Sequence, residues 1–319
     1  MASWQAHLSA WIVKWRVKRR LRGVRDYRVA REILRPEPYR VPADARVTAG
    51  KVDGVAGEWV EARSAARNGQ GRAPGATATD ARNGETASGK KLLLYLHGGG
   101  YFGCSAETHR PITVSFARAG FRVFAPDYRL APEHQFPAAV QDAVAVYRGL
   151  LSQGYTPEKV VVGGDSAGGG LVLSMLLALR AQGIALPAGA ILFSPWTDLA
   201  ATGDSIQRNA EKCAMFHGPS IAPTARWYLG ETDPRDPIAS PLYADLRGLP
   251  PLLIHVGADE VLLDDSTRLA ERARAAGVRV ELKVWPVVPH AWQLAPHRVP
   301  EARQSLNESA DFLRGVVTA

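Results

Sequence analysis

The sequence predicts an α/β protein in which a mostly parallel sheet carries helices on both faces. After Lys91, short apolar runs alternate with longer helical patterns, which is the rhythm of βαβ units. Those runs are almost continuously apolar, as strands buried on both faces must be. A third observation is local: "VVVGGDSAGGGL" (160–171) passes from a β-branched run into a long apolar helical stretch through a glycine-rich turn.

Taken in order, the chain opens with Trp4, Leu8, Trp11, Ile12 and Trp15 at helical spacing. That spacing predicts an amphipathic helix within an N-terminal segment of residues 1–45, ahead of a main domain over 46–319. Docking of its apolar face on the body is the preferred reading, and contact with a membrane surface is the second. Residues 63–90 hold no aromatic and no aliphatic larger than Ala. Such a stretch buries too little surface to offset its ordering entropy and is expected to be a mobile surface loop. Strands are expected at 92–96, 122–126, 159–164, 190–194, 252–257 and 278–285. Helices are expected near 110–119, 137–153, 167–182, 264–276 and 300–315. Residues 198–235 break the rhythm and read as an insertion over the carboxyl edge of the sheet, where such sheets place their ligands.

Composition narrows the function classes. The 319 residues are 46% hydrophobic and 22% charged, as in a globular protein with ample core. The net charge of +8 is matched by residues 14–40 alone, where eleven Lys or Arg stand against three acids. No nucleic-acid motif accompanies that charge, so nucleic acid is not an expected partner. Cys104 and Cys213 are the only cysteines. They fit neither a disulfide framework nor a metal site, and a reducing cytoplasm is the expected location. No secretory signal and no membrane-spanning run is evident.

The chemistry concentrates around one serine. Gly164-Asp165-Ser166-Ala167-Gly168 fits a GxSxG nucleophile elbow, a strained strand-to-helix turn that lifts the serine oxygen above a sheet. A serine hydroxyl needs a base, an orienting acid and oxyanion donors. His97-Gly98-Gly99-Gly100 follows a strand directly and supplies backbone N–H groups without side chains in the way. The N–H of Ala167 is a further donor, assisted by the helix dipole. Of eight histidines, His7, His97, His109, His134, His217 and His255 precede or lie outside the loop after the last strand. His290 follows that strand immediately, and His297 is the runner-up. Between Ser166 and His290, "LLIHVGADEVLLDDS" offers Asp259, Glu260, Asp264 and Asp265. Asp259 is the expected acid because it lies just past the strand, whereas Asp264 and Asp265 are expected to cap the next helix.

HGGG at 97–100, "DYRLAPEHQFPAAVQDA" at 127–143, GDSAGGG at 164–170 and "HAWQ" at 290–293 together resemble the bacterial hormone-sensitive-lipase-like (family IV) carboxylesterases. The resemblance covers roughly residues 90–315. It implies an α/β-hydrolase fold, a helical cap made from the N-terminal segment and the insertion, and no metal or organic cofactor. It also implies that Asp165 and the Asp127, Arg129 and Glu133 block brace the site. Gln141 stands where related chains commonly carry an acid.

The function implied is hydrolysis of short- to medium-chain acyl esters through an acyl-enzyme. The catalytic residues would be Ser166, Asp259 and His290, with Gly98, Gly99, Gly100 and Ala167 as oxyanion donors. An amidase or arylformamidase, an interfacial lipase, and a non-catalytic binding protein on the same fold are the alternatives. The expected partner is a small-molecule ester. Homodimerisation is left open.

Overall fold

In the computed structural model, which describes residues 2–35, 38–63 and 91–317, the expected strands form over Leu92–Leu96 (β3), Arg122–Pro126 (β4), Val160–Asp165 (β5), Ala190–Phe193 (β6), Leu252–Gly257 (β7) and Val280–Trp285 (β8). Two earlier strands, Ala45–Val52 (β1) and Val55–Ala62 (β2), pair as an antiparallel hairpin and were absent from the sequence reading. They lie at the edge of the sheet and are only partly buried, with exposed residues along both strands. Of the loop expected at 63–90, residues 64–90 lie outside the described residues.

The sheet order is β1-β2-β4-β3-β5-β6-β7-β8. From β4 to β8 every neighbouring pair is parallel, and β2 joins β4 antiparallel. Chain order reverses between β3 and β5, so a crevice opens at their carboxyl ends.

Alternate residues of the apolar strands feed two cores. Leu92, Leu94, Leu96, Val160, Val162, Leu192 and Ile254 face one side, where Ala138–Ser152 (α5), Ala167–Ala181 (α6) and Leu263–Ala275 (α9) contribute. Leu93, Tyr95, Val161, Ile191 and Phe193 face the other, against Arg110–Arg118 (α4) and Pro300–Val316 (α10). Burial on both sides explains why these strands carry no polar alternation.

Before the sheet, Trp4–Val13 (α1) continues through a π-helical turn at Lys14–Lys18 into Arg19–Leu21 (α2), followed by Tyr27–Leu34 (α3). The first helix docks, but by the face opposite to the one expected. Ala6 is buried in a cluster with Trp285, Val288 and Trp292, whereas Trp4, Leu8, Trp11, Ile12 and Trp15 are exposed. Within 198–235, short helices form at Ser205–Arg208 (α7) and Ile221–Leu229 (α8). Lys18 ties the two segments together by donating to the carbonyls of Ala210 and Cys213, at 2.5 and 2.9 Å.

Candidate active site

Ser166 sits between β5 and α6 with φ 53° and ψ −123°, a strained conformation for a side chain with Cβ. The turn closes only because its neighbours are glycines. A Cβ on Gly164 would run into the backbone of Gly168, and one on Gly168 into the carbonyl of Leu96. The same close approach sets the first turn of α6 against the loop after β3. Ala167 opens that helix, so its N–H has no carbonyl partner within the helix.

The loop after β3 is held from behind by Asp165. This buried carboxylate accepts from the Tyr95 hydroxyl at 2.8 Å and the Gly98 N–H at 3.1 Å, and it faces His109 Nε2 at 3.2 Å. Burial would raise its pKa, but His109 and the Tyr95 hydroxyl outweigh that and hold it below the ordinary carboxylate range. The Gly98 amide is therefore turned to Asp165, and Gly98 does not line the cavity. Gly99 and Gly100 do. Gly99, at φ +113°, also fits where a Cβ would meet the Gly103 carbonyl. His97 stacks on Tyr128 at 4.3 Å between ring centroids. Burial and the neighbouring His109 pull its pKa down to about 3, so it is neutral at pH 7.

His290 follows β8 and is buried. Its Nδ1 lies 2.5 Å from Oε2 of Glu260, while Nε2 has no hydrogen-bond partner among the described residues. Glu260, not Asp259, is thus the carboxylate that meets the histidine. The physical reason is the turn after β7: Glu260 N–H donates to the Gly257 carbonyl at 3.2 Å, which folds residue 260 back under the strand end. Its carboxylate is fixed there by the Ser194 hydroxyl at 2.6 Å and the Gly257 N–H at 2.7 Å. Asp259, at the outside of that turn, is only half-buried, and its side chain makes no hydrogen bond or ion pair among the described residues. The signal available in the sequence was Val261-Leu262 directly after Glu260, which marks the buried side of the turn.

Asp264 and Asp265 depart from the expected helix-cap role as well. Asp265 accepts from the N–H groups of Thr197 and Asp198 at 2.7 and 2.8 Å, and Asp264 accepts from Ser205 N–H at 2.8 Å. Both reach across to the start of the insertion. Burial, and then Asp198 nearby, push the Asp265 carboxyl up to about 7. His297, the runner-up base, is exposed beside Tyr39 and lies outside this cavity.

The bracing block also resolves into contacts. Asp127 accepts from Ala106 N–H at 2.7 Å. Arg129 pairs with Asp142 at 2.8 Å, so the residue after Gln141 supplies the acid there, while Gln141 itself accepts from Arg129 at 3.3 Å. Glu133 pairs with Arg31 of α3 at 2.9 Å, and that arginine also donates to the carbonyls of Phe102 and Ala131. Sequence reasoning missed Arg31, Tyr95 and His109. Their types are common and their partners lie 56 to 102 residues away.

Ser166, His290, Gly99 and Gly100 share one mainly apolar cavity of about 110 Å³. Its walls come from two directions: Leu21, Val24, Ala30 and Leu34 on one side, and Met215, Phe216, Ile221 and Trp227 on the other. Trp4, Trp11 and Trp15 are not among them. Phe102 meets Trp227 edge-on at 4.8 Å. Cys104 also lines the cavity, but burial pushes its thiol up to about 12, so it stays protonated and offers no competing nucleophile. Among the described residues no cluster of His, Cys, Asp or Glu is arranged to hold a metal ion, and no helix is long and apolar enough to cross a membrane.

A family model described as an alpha/beta hydrolase fold matches residues 93–294. The chain is 45% identical over 225 residues to an acetyl-hydrolase of Streptomyces hygroscopicus, covering 70% of this chain and 75% of that one. It is 39% identical to an esterase of Acinetobacter venetianus, over 71% and 75% of the two chains. Among solved structures, an esterase from the bacterial hormone-sensitive lipase family superposes with a TM-score of 0.86 at 39% identity over all of both chains. EstE5 soaked with p-nitrophenyl butyrate gives 0.87 at 40% identity, also over both whole chains. The chain belongs to the hormone-sensitive-lipase-like (family IV) carboxylesterases of the α/β-hydrolase superfamily.

Proposed function

We propose that this carboxylic ester hydrolase works through Ser166, His290 and Glu260, and that its substrates are small esters with short to medium acyl chains. The observation that carries the reading is the Glu260–His290 contact. A carboxylate on Nδ1 keeps the proton there, leaving the Nε2 lone pair for the serine proton. No hydrogen bond joins Nε2 to Ser166 Oγ in the free protein, and such contacts commonly tighten only with substrate bound.

In the proposed cycle, His290 removes the Ser166 proton as Oγ attacks the ester carbonyl. The tetrahedral oxyanion takes hydrogen bonds from Gly99, Gly100 and Ala167, since Gly98 N–H is committed to Asp165. The proton held on His290 passes to the leaving alcohol, the acyl-enzyme forms, and water resolves it by the same steps in reverse. The cavity volume supports small substrates, because sites for drug-sized ligands run to about 300 Å³ or more. The segments around Leu21–Leu34 and Met215–Trp227 act as the cap that bounds the acyl chain.

The test is hydrolysis of p-nitrophenyl butyrate with acid quenching and mass spectrometry. A butyryl adduct on Ser166 is expected in the wild type, and Ser166→Ala should lose about 10⁴-fold or more in rate. Near wild-type turnover by a folded Ser166→Ala protein would overturn the assignment. Comparing an ester with its matching amide separates the esterase from an amidase.

A further inference from the structure

Of the seven large hydrophobic side chains exposed among the described residues, five lie on the helix Trp4–Leu21: Trp4, Leu8, Trp11, Ile12 and Trp15. The three tryptophans are 70, 60 and 56% exposed. Positions 4, 8, 11 and 15 are spaced i, i+4, i+7 and i+11, so they form one continuous ridge. The helix is apolar on two opposite faces. One carries Ala6 and docks on Trp285 and Trp292, and the other is left exposed among the described residues. An apolar ridge of this kind on a folded domain marks an interaction surface.

The surroundings of the ridge define what it fits. No acid occurs between residues 2 and 25, while Lys14, Arg16, Arg19, Arg20, Arg22 and Arg25 are all exposed. A groove beside the ridge is lined by Trp11, Trp15, Lys14, Lys18, Arg19, Arg22 and His217, with Glu211 as its one acid. Arg19 stacks over the Trp15 ring at 4.6 Å, so a cation and an indole are held side by side. Lys14 and Lys18 donate to backbone carbonyls of 210–213. Those bonds hold the helix on the body while its outer side stays open.

From this we infer that the outer face of the Trp4–Leu21 helix is a docking surface for an anionic lipid bilayer. Indoles sit at the level of lipid headgroups, Leu8 and Ile12 reach the acyl boundary, and the arginines meet lipid phosphates. A second copy of the chain is a poorer partner, because it would bring two acid-free basic surfaces together. Nucleic acid would satisfy the arginines but leave the apolar Trp4, Leu8 and Ile12 in water. The same helix carries Leu21 into the catalytic cavity, and His217 of the groove adjoins Phe216 of the cavity wall. Docking therefore sets the cavity beside the lipid surface and favours amphiphilic esters drawn from it.

The experiment is co-flotation of the full chain with vesicles of phosphatidylcholine alone or mixed with phosphatidylglycerol, at low and high salt. Binding to the anionic vesicles that falls with salt is expected. Arg19→Gln and Arg22→Gln should each weaken it by about fivefold, and Trp4→Ser/Trp11→Ser/Trp15→Ser by about tenfold or more. Hydrolysis of a soluble short ester should be unchanged in the tryptophan variant, since none of the three lines the cavity. Quenching of wild-type tryptophan fluorescence by brominated lipid reads the same contact without any mutation. Failure to float with anionic vesicles at low salt, binding indifferent to lipid charge, or a tryptophan-dependent dimer or oligonucleotide complex in place of vesicle binding would each overturn the inference.

Discussion

Replacing Glu260 by Gln changes one atom's chemistry and leaves the volume alone. The glutamate makes three contacts: Ser194 Oγ and Gly257 N–H on Oε1, and His290 Nδ1 on Oε2. A glutamine can keep the first two through its amide oxygen, which points its NH₂ at His290. Nδ1 must then accept, the ring proton moves to Nε2, and the base loses the lone pair that takes the serine proton. An equivalent acid-to-amide change in a serine protease costs about 10⁴-fold in rate. At 1.36 kcal/mol per tenfold, that is about 5 kcal/mol of transition-state stabilisation. Two retained hydrogen bonds predict a folded protein whose melting temperature moves little. The assay is kcat/KM for p-nitrophenyl butyrate in Glu260→Gln and Asp259→Asn side by side, with melting curves on both. Asp259→Asn should stay within about twofold of wild type, since its side chain holds nothing in place. Glu260→Gln within tenfold of wild type, or Asp259→Asn as the inactive variant, would refute the reasoning.

Two further outcomes follow from groups outside the triad. Asp265 has a folded-state pKa raised to about 7 by burial and by Asp198. The stability it contributes is complete below its ordinary value near 4 and is lost as pH rises through about 7. Asp265→Asn removes that loss, so its melting temperature relative to wild type should climb between about pH 4 and about pH 7 and level off above that. A flat or falling difference would show that Asp265 is ionised throughout. At the cavity, Trp227→Ala takes away the ring that meets Phe102. It should shift selectivity toward longer acyl chains by about fourfold in kcat/KM for each methylene newly accommodated. An unchanged chain-length profile would place the acyl chain elsewhere in the cavity.

The parts of this fold legible in the sequence are those where burial is two-sided. Leu92–Leu96, Arg122–Pro126 and Leu252–Gly257 were bounded to the residue, because an uninterrupted apolar run has only one way to sit in a covered sheet. The β1–β2 hairpin, only partly buried at the sheet edge, carries polar residues such as Arg46, Thr48, Lys51 and Glu58 that blur its period. At the site, motifs whose chemistry is local to the chain could be read: the elbow and the glycine loop each need a backbone shape that glycine alone permits. The acid was misplaced by one residue: Asp259 lies nearer the strand end in sequence, but the turn after β7 carries the adjacent Glu260 to His290. The N-terminal helix misled for a related reason. Its spacing announces an apolar face, yet the small residues of the opposite face, Ala6 among them, make the closer contact with the body.

Asp165 has a consequence beyond holding a loop. It precedes Ser166 by one residue and receives the Gly98 N–H, so the elbow and the glycine loop share a single buried ion. Neither can shift without the other, and neither can shift without uncovering that charge. In the proposed mechanism, the dipoles that answer the developing negative oxygen would therefore be oriented when the chain folds, with little reorganisation left for the moment of reaction. On that reading the catalytic electrostatics belong to the sheet, and the helices above it decide which esters are admitted.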